Sequence, residues 1–153
     1  MIKGFIGNVV NVEEHPVSES EIGYSFKGDN KKRTLVLIDV EGDVMSEDNA
    51  IFLSKILGAI DHSIDDICLL NLAINPNHQF RYLSLKLEFD HLISFGPTVE
   101  DISLSIIANK YSCIQFDEKK LLFCNALDIL AKDDVQKKEL WSALMEMFNI
   151  KKT

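Results

Sequence analysis

The run Thr34-Leu35-Val36-Leu37-Ile38-Asp39 limits the possible folds more than any other stretch of the chain. It is too short for a stable helix of its own. It is apolar at both odd and even positions, so it cannot be a strand with one face in water, which would alternate apolar and polar residues. A β-branched-rich run with no alternation is the mark of a strand covered on both faces, as in parallel sheets packed between helices. A second run of the same kind, Ile67-Cys68-Leu69-Leu70-Asn71-Leu72, follows Asp66. Between the two lies a helical pattern. Ser46 is placed to cap it, Glu47 and Asp48 suit its first turn, and Leu53, Ile56, Leu57 and Ile60 share one face.

The later segments continue the alternation. After the breaker Asn75-Pro76-Asn77-His78, the spacing of Phe80, Leu83 and Leu87 predicts a helix. His91-Leu92-Ile93-Ser94-Phe95 predicts a short strand that stops at Gly96-Pro97. Residues 98–108 are expected to form a further short helix with Thr98 as a candidate cap. Residues 112–116 and 121–124, joined by Asp117-Glu118-Lys119-Lys120, predict a hairpin. A last helix is capped by Asp133 or Asp134 and is expected to bury Trp141, Leu144, Met145 and Phe148, with one of Met145 and Met147 facing outward. Strand and helix in turn imply right-handed crossovers. The expected architecture is a three-layer α/β fold: a mainly parallel, four-stranded open sheet flanked by helices. Residues 33–153 make one domain. Residues 1–32 read as an N-terminal extension with one short helix or edge strand, short apolar pieces at Phe5, Ile6, Val9, Val10 and Val12 and a closing turn at Lys27-Gly28-Asp29-Asn30.

Composition narrows the functional classes. A net charge of −8 repels polyanions and disfavours direct nucleic-acid binding, and the basic clusters, such as Lys31-Lys32-Arg33, are short. No apolar run reaches the roughly 18 residues a membrane helix requires. The first residues lack the apolar core and cleavage site of an export signal, so the cytoplasm is the expected location and no membrane is involved. Cys68, Cys113 and Cys124 are widely spaced among apolar residues, which fits reduced core positions and not a metal cluster. No cofactor motif, metal site, phosphate loop or nucleophile elbow occurs.

Ligands of such sheets bind where strands end at their carboxyl sides, beside the switch in strand order. Four segments qualify: 39–43, 71–75, 94–97 and 124–127. Their order and spacing resemble the uracil-DNA-glycosylase-like superfamily. Leu35-Val36-Leu37-Ile38 leads into Asp39-Val40-Glu41-Gly42-Asp43, where active members carry a water-activating aspartate; Glu41 and Asp43 compete for that place. Leu69-Leu70-Asn71 is similar to the Leu-Leu-Asn that recognises a flipped base, and Phe95-Gly96 to a Trp-Gly or Phe-Gly motif. The fourth segment, Leu122-Phe123-Cys124-Asn125-Ala126-Leu127, stands where active members have His-Pro-Ser-x-Leu. The histidine is absent, and the first loop lacks a proline-aromatic pair. Together these would supply oxyanion stabilisation and base stacking. The chain therefore resembles the catalytically silent branch of the superfamily, the DNA polymerase III psi subunit-like proteins. That resemblance implies a non-catalytic, protein-binding module attached to DNA replication or repair machinery, with a protein partner and no cofactor. The alternative is a divergent hydrolase of a nucleobase or nucleotide that uses Glu41 or Asp43 on water and Asn71 on the base.

The candidate ligand-binding residues are Asp39, Asn71, Gly96 and Asn125, with Glu41 and Asp43 as catalytic candidates if the chain is active. Each also has a plain reading. An asparagine at a strand end commonly ties its own loop to the backbone, and short acidic loops are commonly just solvated. His78 and His91 sit in separate segments, and His91, after Asp90, reads as a strand-boundary residue.

Overall fold

A computed structural model describes residues 21–43 and 45–150. The apolar pieces between Phe5 and Val12 lie outside the described residues. Six strands form one sheet: β1 (Phe26–Lys27), β2 (Thr34–Ile38), β3 (Ile67–Asn71), β4 (His91–Phe95), β5 (Ile114–Phe116) and β6 (Lys119–Cys124). Their spatial order is β1-β3-β2-β4-β6-β5. The inner four are parallel, and β1 and β5 pair antiparallel at the two edges. The expected α/β sheet between helices is present. Its strand count, four from the sequence, is six, because an antiparallel strand closes each edge.

Strands β2 and β3 are buried at all five positions, as their unbroken apolar runs require. The pleat divides each run between two cores. Val36, Ile38, Ile67 and Leu69 face helices α1 (Glu47–Ala59), α3 (Leu127–Leu130) and α4 (Asp134–Met147). Leu35, Leu37, Cys68 and Leu70 face α2 (Phe80–Lys86) together with Phe89, Val99 and Ile102. Helix α1 starts where expected: the Ser46 hydroxyl accepts a hydrogen bond from Asn49 N at 3.1 Å. Asp133, not Asp134, caps α4 by accepting from Gln136 N at 3.1 Å.

Three expectations fail, each for a local reason. Trp141 is 39% exposed, and the buried stripe of α4 is Leu140, Ala143, Leu144 and Met147. That stripe has the same i, i+3, i+4, i+7 spacing as Trp141, Leu144, Met145 and Phe148, rotated by one residue. Residues 98–108 form no α-helix. Thr98 and Asp101 do make reciprocal capping bonds (Thr98 N to Asp101 Oδ2, 2.8 Å; Asp101 N to Thr98 Oγ1, 3.3 Å). The 3-10 turn they start, Glu100–Ile102, nevertheless ends at once, because Ser103 turns left-handed at φ 57°. In the hairpin, Asp117 and Glu118 alone make the turn, both at positive φ, while Lys119 and Lys120 belong to β6. Two consecutive left-handed residues match the twist of the flanking strands.

Residues 21–32, read from the sequence as part of an extension, pack on the sheet. Ile22 is buried, β1 pairs with β3, and Lys32 N donates to Asp66 O at 2.9 Å. Asn75, itself buried, fastens this segment: its Oδ1 accepts from Ser25 N at 2.8 Å and its Nδ2 donates to Ser25 O at 2.9 Å.

Candidate functional site

The chain leaves β2 for α1 on one face, then returns from β3 through α2 on the other face to reach β4. The switch point is therefore the gap between the carboxyl ends of β2 and β4. A crevice of 220 Å³ lies there, lined among others by Asp39, Val40, Met45, Phe95 and Leu127. Leu127 is buried against the core on the α1 side. The crevice is small and mainly apolar, with Asp39 and Asp128 as its carboxylates.

Asp43 and Asn71 come together nearby. Asn71 is only 4% exposed, and all four hydrogen-bonding positions of its amide are filled. Its Oδ1 accepts from Val40 N at 2.8 Å and Ala73 N at 3.2 Å. Its Nδ2 donates to Val40 O at 2.8 Å and to Asp43 Oδ1 at 2.9 Å. The residue thereby holds the β2 exit loop in a tight turn in which Gly42 has φ 75° and Asp43 φ 56°. Space around Gly42 is open, so glycine serves its φ and not a close approach. A ligand reaching for the Asn71 amide would have to displace one of these loop bonds.

The remaining candidates sit elsewhere. Glu41 is exposed and lines neither the crevice nor the neighbouring trough described below. Gly96, at φ 114°, donates its N–H to Cys124 O at 3.0 Å and lines a 290 Å³ depression with Lys110 and Glu100. Asn125 belongs to a polar chain on the β6 side. Its Oδ1 accepts from Lys110 Nζ at 2.6 Å, its Nδ2 donates to Gln136 Oε1, and Tyr111 Oη donates to the same Gln136 oxygen at 2.7 Å. Gln136 Nε2 then donates to Asp133 Oδ2 at 2.8 Å; the cap bond from Gln136 N, and after it this side-chain contact, hold the Asp133 carboxyl below its ordinary range. The six candidates therefore do not converge on one cleft: Asp43 and Asn71 meet, Glu41 lies exposed in the turn that Asn71 holds, and Gly96 and Asn125 make their contacts on the β6 side.

Burial pushes Cys68 up to about 12 and raises Cys124 further, so neither forms thiolate near neutral pH. Burial also raises half-exposed Cys113. His78 is anchored by Nδ1 to Asn75 O at 2.7 Å. His91 lies at the opposite, amino end of the sheet, stacked on Phe148 with ring centroids 4.3 Å apart. Among the described residues no three His, Cys, Asp or Glu side chains converge as metal ligands. Within the cluster Lys31-Lys32-Arg33, Arg33 Nε meets Asp90 at 2.9 Å, and Lys32 lies between Asp61 and Asp66.

A larger cavity, which the sequence did not point to, lies beside Asp43 and Asn71. A trough of 490 Å³ runs between α1 and the β1 edge, with Asp43 and Asn71 at one end and an otherwise mainly apolar lining. Its signal in the sequence was weak, because Phe26, Ile64 and Ile74 are each isolated in loop-like surroundings. No helix among the described residues is long and apolar enough to cross a membrane. Comparison with protein-family models and with curated proteins yields no match.

Proposed function

We propose that this chain is a non-catalytic protein-interaction module with a glycosylase-like fold, working in the cytoplasm beside DNA replication or repair machinery. The observation that carries the reading is the filled Asn71 amide: the residue aligned with base recognition instead holds its own loop through four hydrogen bonds. The fold assignment is supported by the four motif-like segments, which all lie at the carboxyl ends of parallel strands. The absence of a histidine from 124–127 weighs the same way.

Two measurements test this. Purified chain is incubated with DNA containing uracil or hypoxanthine, alongside the Asn71→Ala and Glu41→Ala variants. No base release is expected; release that disappears in both variants would establish the hydrolase instead. In parallel, tagged chain is used for quantitative affinity capture from the cells that make it. At least one protein should be retained specifically, and none retained would sink the interaction reading.

A further inference from the structure

Phe148 ends α4 beside the amino end of the sheet and touches two histidine rings there. It stacks on His91, the first residue of β4, with centroids 4.3 Å apart and the rings 26° from parallel. It meets the ring of His62 edge-on at 5.3 Å. The turn that follows caps α4: Ile150 N donates to Met145 O at 2.9 Å and Asn149 N to Glu146 O at 3.4 Å, with Asn149 left-handed at φ 55°. A helix end of this kind opens at lower cost than the middle of a sheet, so whatever holds Phe148 controls whether the last turn stays down.

The two histidines differ in their hydrogen bonds. His62 has partners at both nitrogens, Nδ1 at 2.8 Å from Ile60 O and Nε2 at 3.2 Å from Thr34 Oγ1. His91 does not: its Nδ1 is buried with no partner, which suits a neutral ring with that nitrogen bare. A proton added there would be a buried, charged donor with no acceptor. The groups around the ring add to this. Lys120, its register partner on β6, repels a charged ring, and so does His62 when charged. Asp90 would attract it, but Arg33 Nε already holds that carboxylate at 2.9 Å, and Lys119 acts on it too. Glu118 lines the 340 Å³ depression beside the ring, with Gln115 and Asn149. The Met147 carbonyl at the end of α4 favours the charge, yet Lys120 Nζ already donates to it at 3.3 Å. The phenyl face of Phe148 attracts a cation only weakly beside the loss of water and an unpaired N–H. Burial, then Lys120, accordingly hold His91 below the ordinary 6.5.

We propose that His91 and Phe148 form an acid-released latch: with His91 neutral the last turn of α4 is held against the amino end of the sheet, and protonation of His91 lets Phe148 to Ile150 go. The sign follows from the buried nitrogen. A ring that resists protonation while Phe148 covers it takes up its proton readily once uncovered, so acid favours the uncovered form. The sheet itself stays closed, because β2, β4 and β6 pair through backbone bonds that do not depend on the ring.

The test is NMR on the full chain between about pH 7.5 and about pH 5. Proton–proton contacts between the Phe148 and His91 rings should fade as the pH falls below 6.5 and be lost once the His91 ring, followed by its Cε1–H resonance, is protonated. Exchange protection of the Phe148, Asn149 and Ile150 amides, corrected for the intrinsic effect of pH, should fall several-fold and be insensitive to a little urea, the mark of local opening. Contacts between Leu35 and Leu92 across β2 and β4 should remain throughout. In His91→Gln the Phe148–His62 contact and the protection of 148–150 should be the same at both ends of the range, whereas His62→Gln should leave the acid response of the Phe148–His91 contact intact. If His91→Gln fails to fold by circular dichroism, Lys120→Met takes its place: without that like charge the ring protonates at higher pH and more of the Phe148 contact survives. Ring contacts that persist after His91 is fully protonated overturn the proposal. So does an acid response unchanged in His91→Gln or Lys120→Met, or one that His62→Gln abolishes. Loss of the Leu35–Leu92 contacts at the same pH also overturns it, since the whole fold then opens and not the last turn.

Discussion

Asn71 shows how one buried amide fixes a loop. Truncating it in Asn71→Ala removes two acceptor contacts and two donor contacts, and leaves the N–H of Val40 without its side-chain partner. A loss of about 2–3 kcal/mol is expected from the urea unfolding midpoint. Asn71→Asp is nearly isosteric and should cost more, because it places a second carboxylate against Asp43. His91 provides a pH signature. Its ring is half-buried, its Nδ1 has no hydrogen-bond partner, and desolvation, then Lys120, hold its pKa below the ordinary 6.5, partly opposed by Asp90. A histidine that resists protonation in the fold gives its full stability above 6.5 and loses it as the pH falls from there toward the lowered folded value. The stability difference between wild type and His91→Gln should therefore shrink between about pH 7.5 and about pH 5; a difference that is flat across that range contradicts the assignment.

At the scale of elements, the strands and the start of α1 were legible and the faces of the helices were not. A continuous apolar run has one stable solution, so β2 and β3 follow from composition alone. Helix α4 admits two overlapping stripes that share Leu144, and only the surface it docks on selects Leu140 and Met147 over Trp141 and Phe148. The single turn after Thr98 carries a full capping signature, yet the fold needs Ile102 buried and the chain turned away at Ser103. The turn into β2 makes the sharpest prediction here. Gly28 has φ 96°, and a Cβ there would run into the carbonyls of Ile64 and Ile67. Gly28→Ala combines left-handed strain with a backbone clash and should lower stability by at least about 2 kcal/mol, read from thermal unfolding. Gly42→Ala, with open space around it, should cost only its φ, about 1 kcal/mol.

For the molecule as a whole, the boundary matters. A chain beginning at residue 33 lacks buried Ile22, the edge strand β1 and the backbone bonds from residues 29–32 to the turn before β3. It should melt well below a chain beginning at residue 21, by several degrees in calorimetry; equal melting would mean that the edge contributes nothing. The same comparison decides which truncation is fit for binding studies, since cutting at 33 also removes Phe26 and Lys27 from the trough.

The sequence by itself determined the class of fold, because unbroken apolar strands separated by amphipathic helices can bury their surfaces in few other ways. It also determined the acidic character of the surface and marked Asn71 as a residue with a job at a strand end. Tertiary structure alone decided what that job is, since the partners of the Asn71 amide, Val40 and Asp43, are far off in the chain. It alone brought Asp43 to Asn71 and tied Asn125 to Lys110 and Gln136 instead, and it alone gathered Phe26, Ile64 and Ile74 into one trough. Periodicity reports which residues share a face of one element; which elements then meet, and what gap they leave, is set by packing between them.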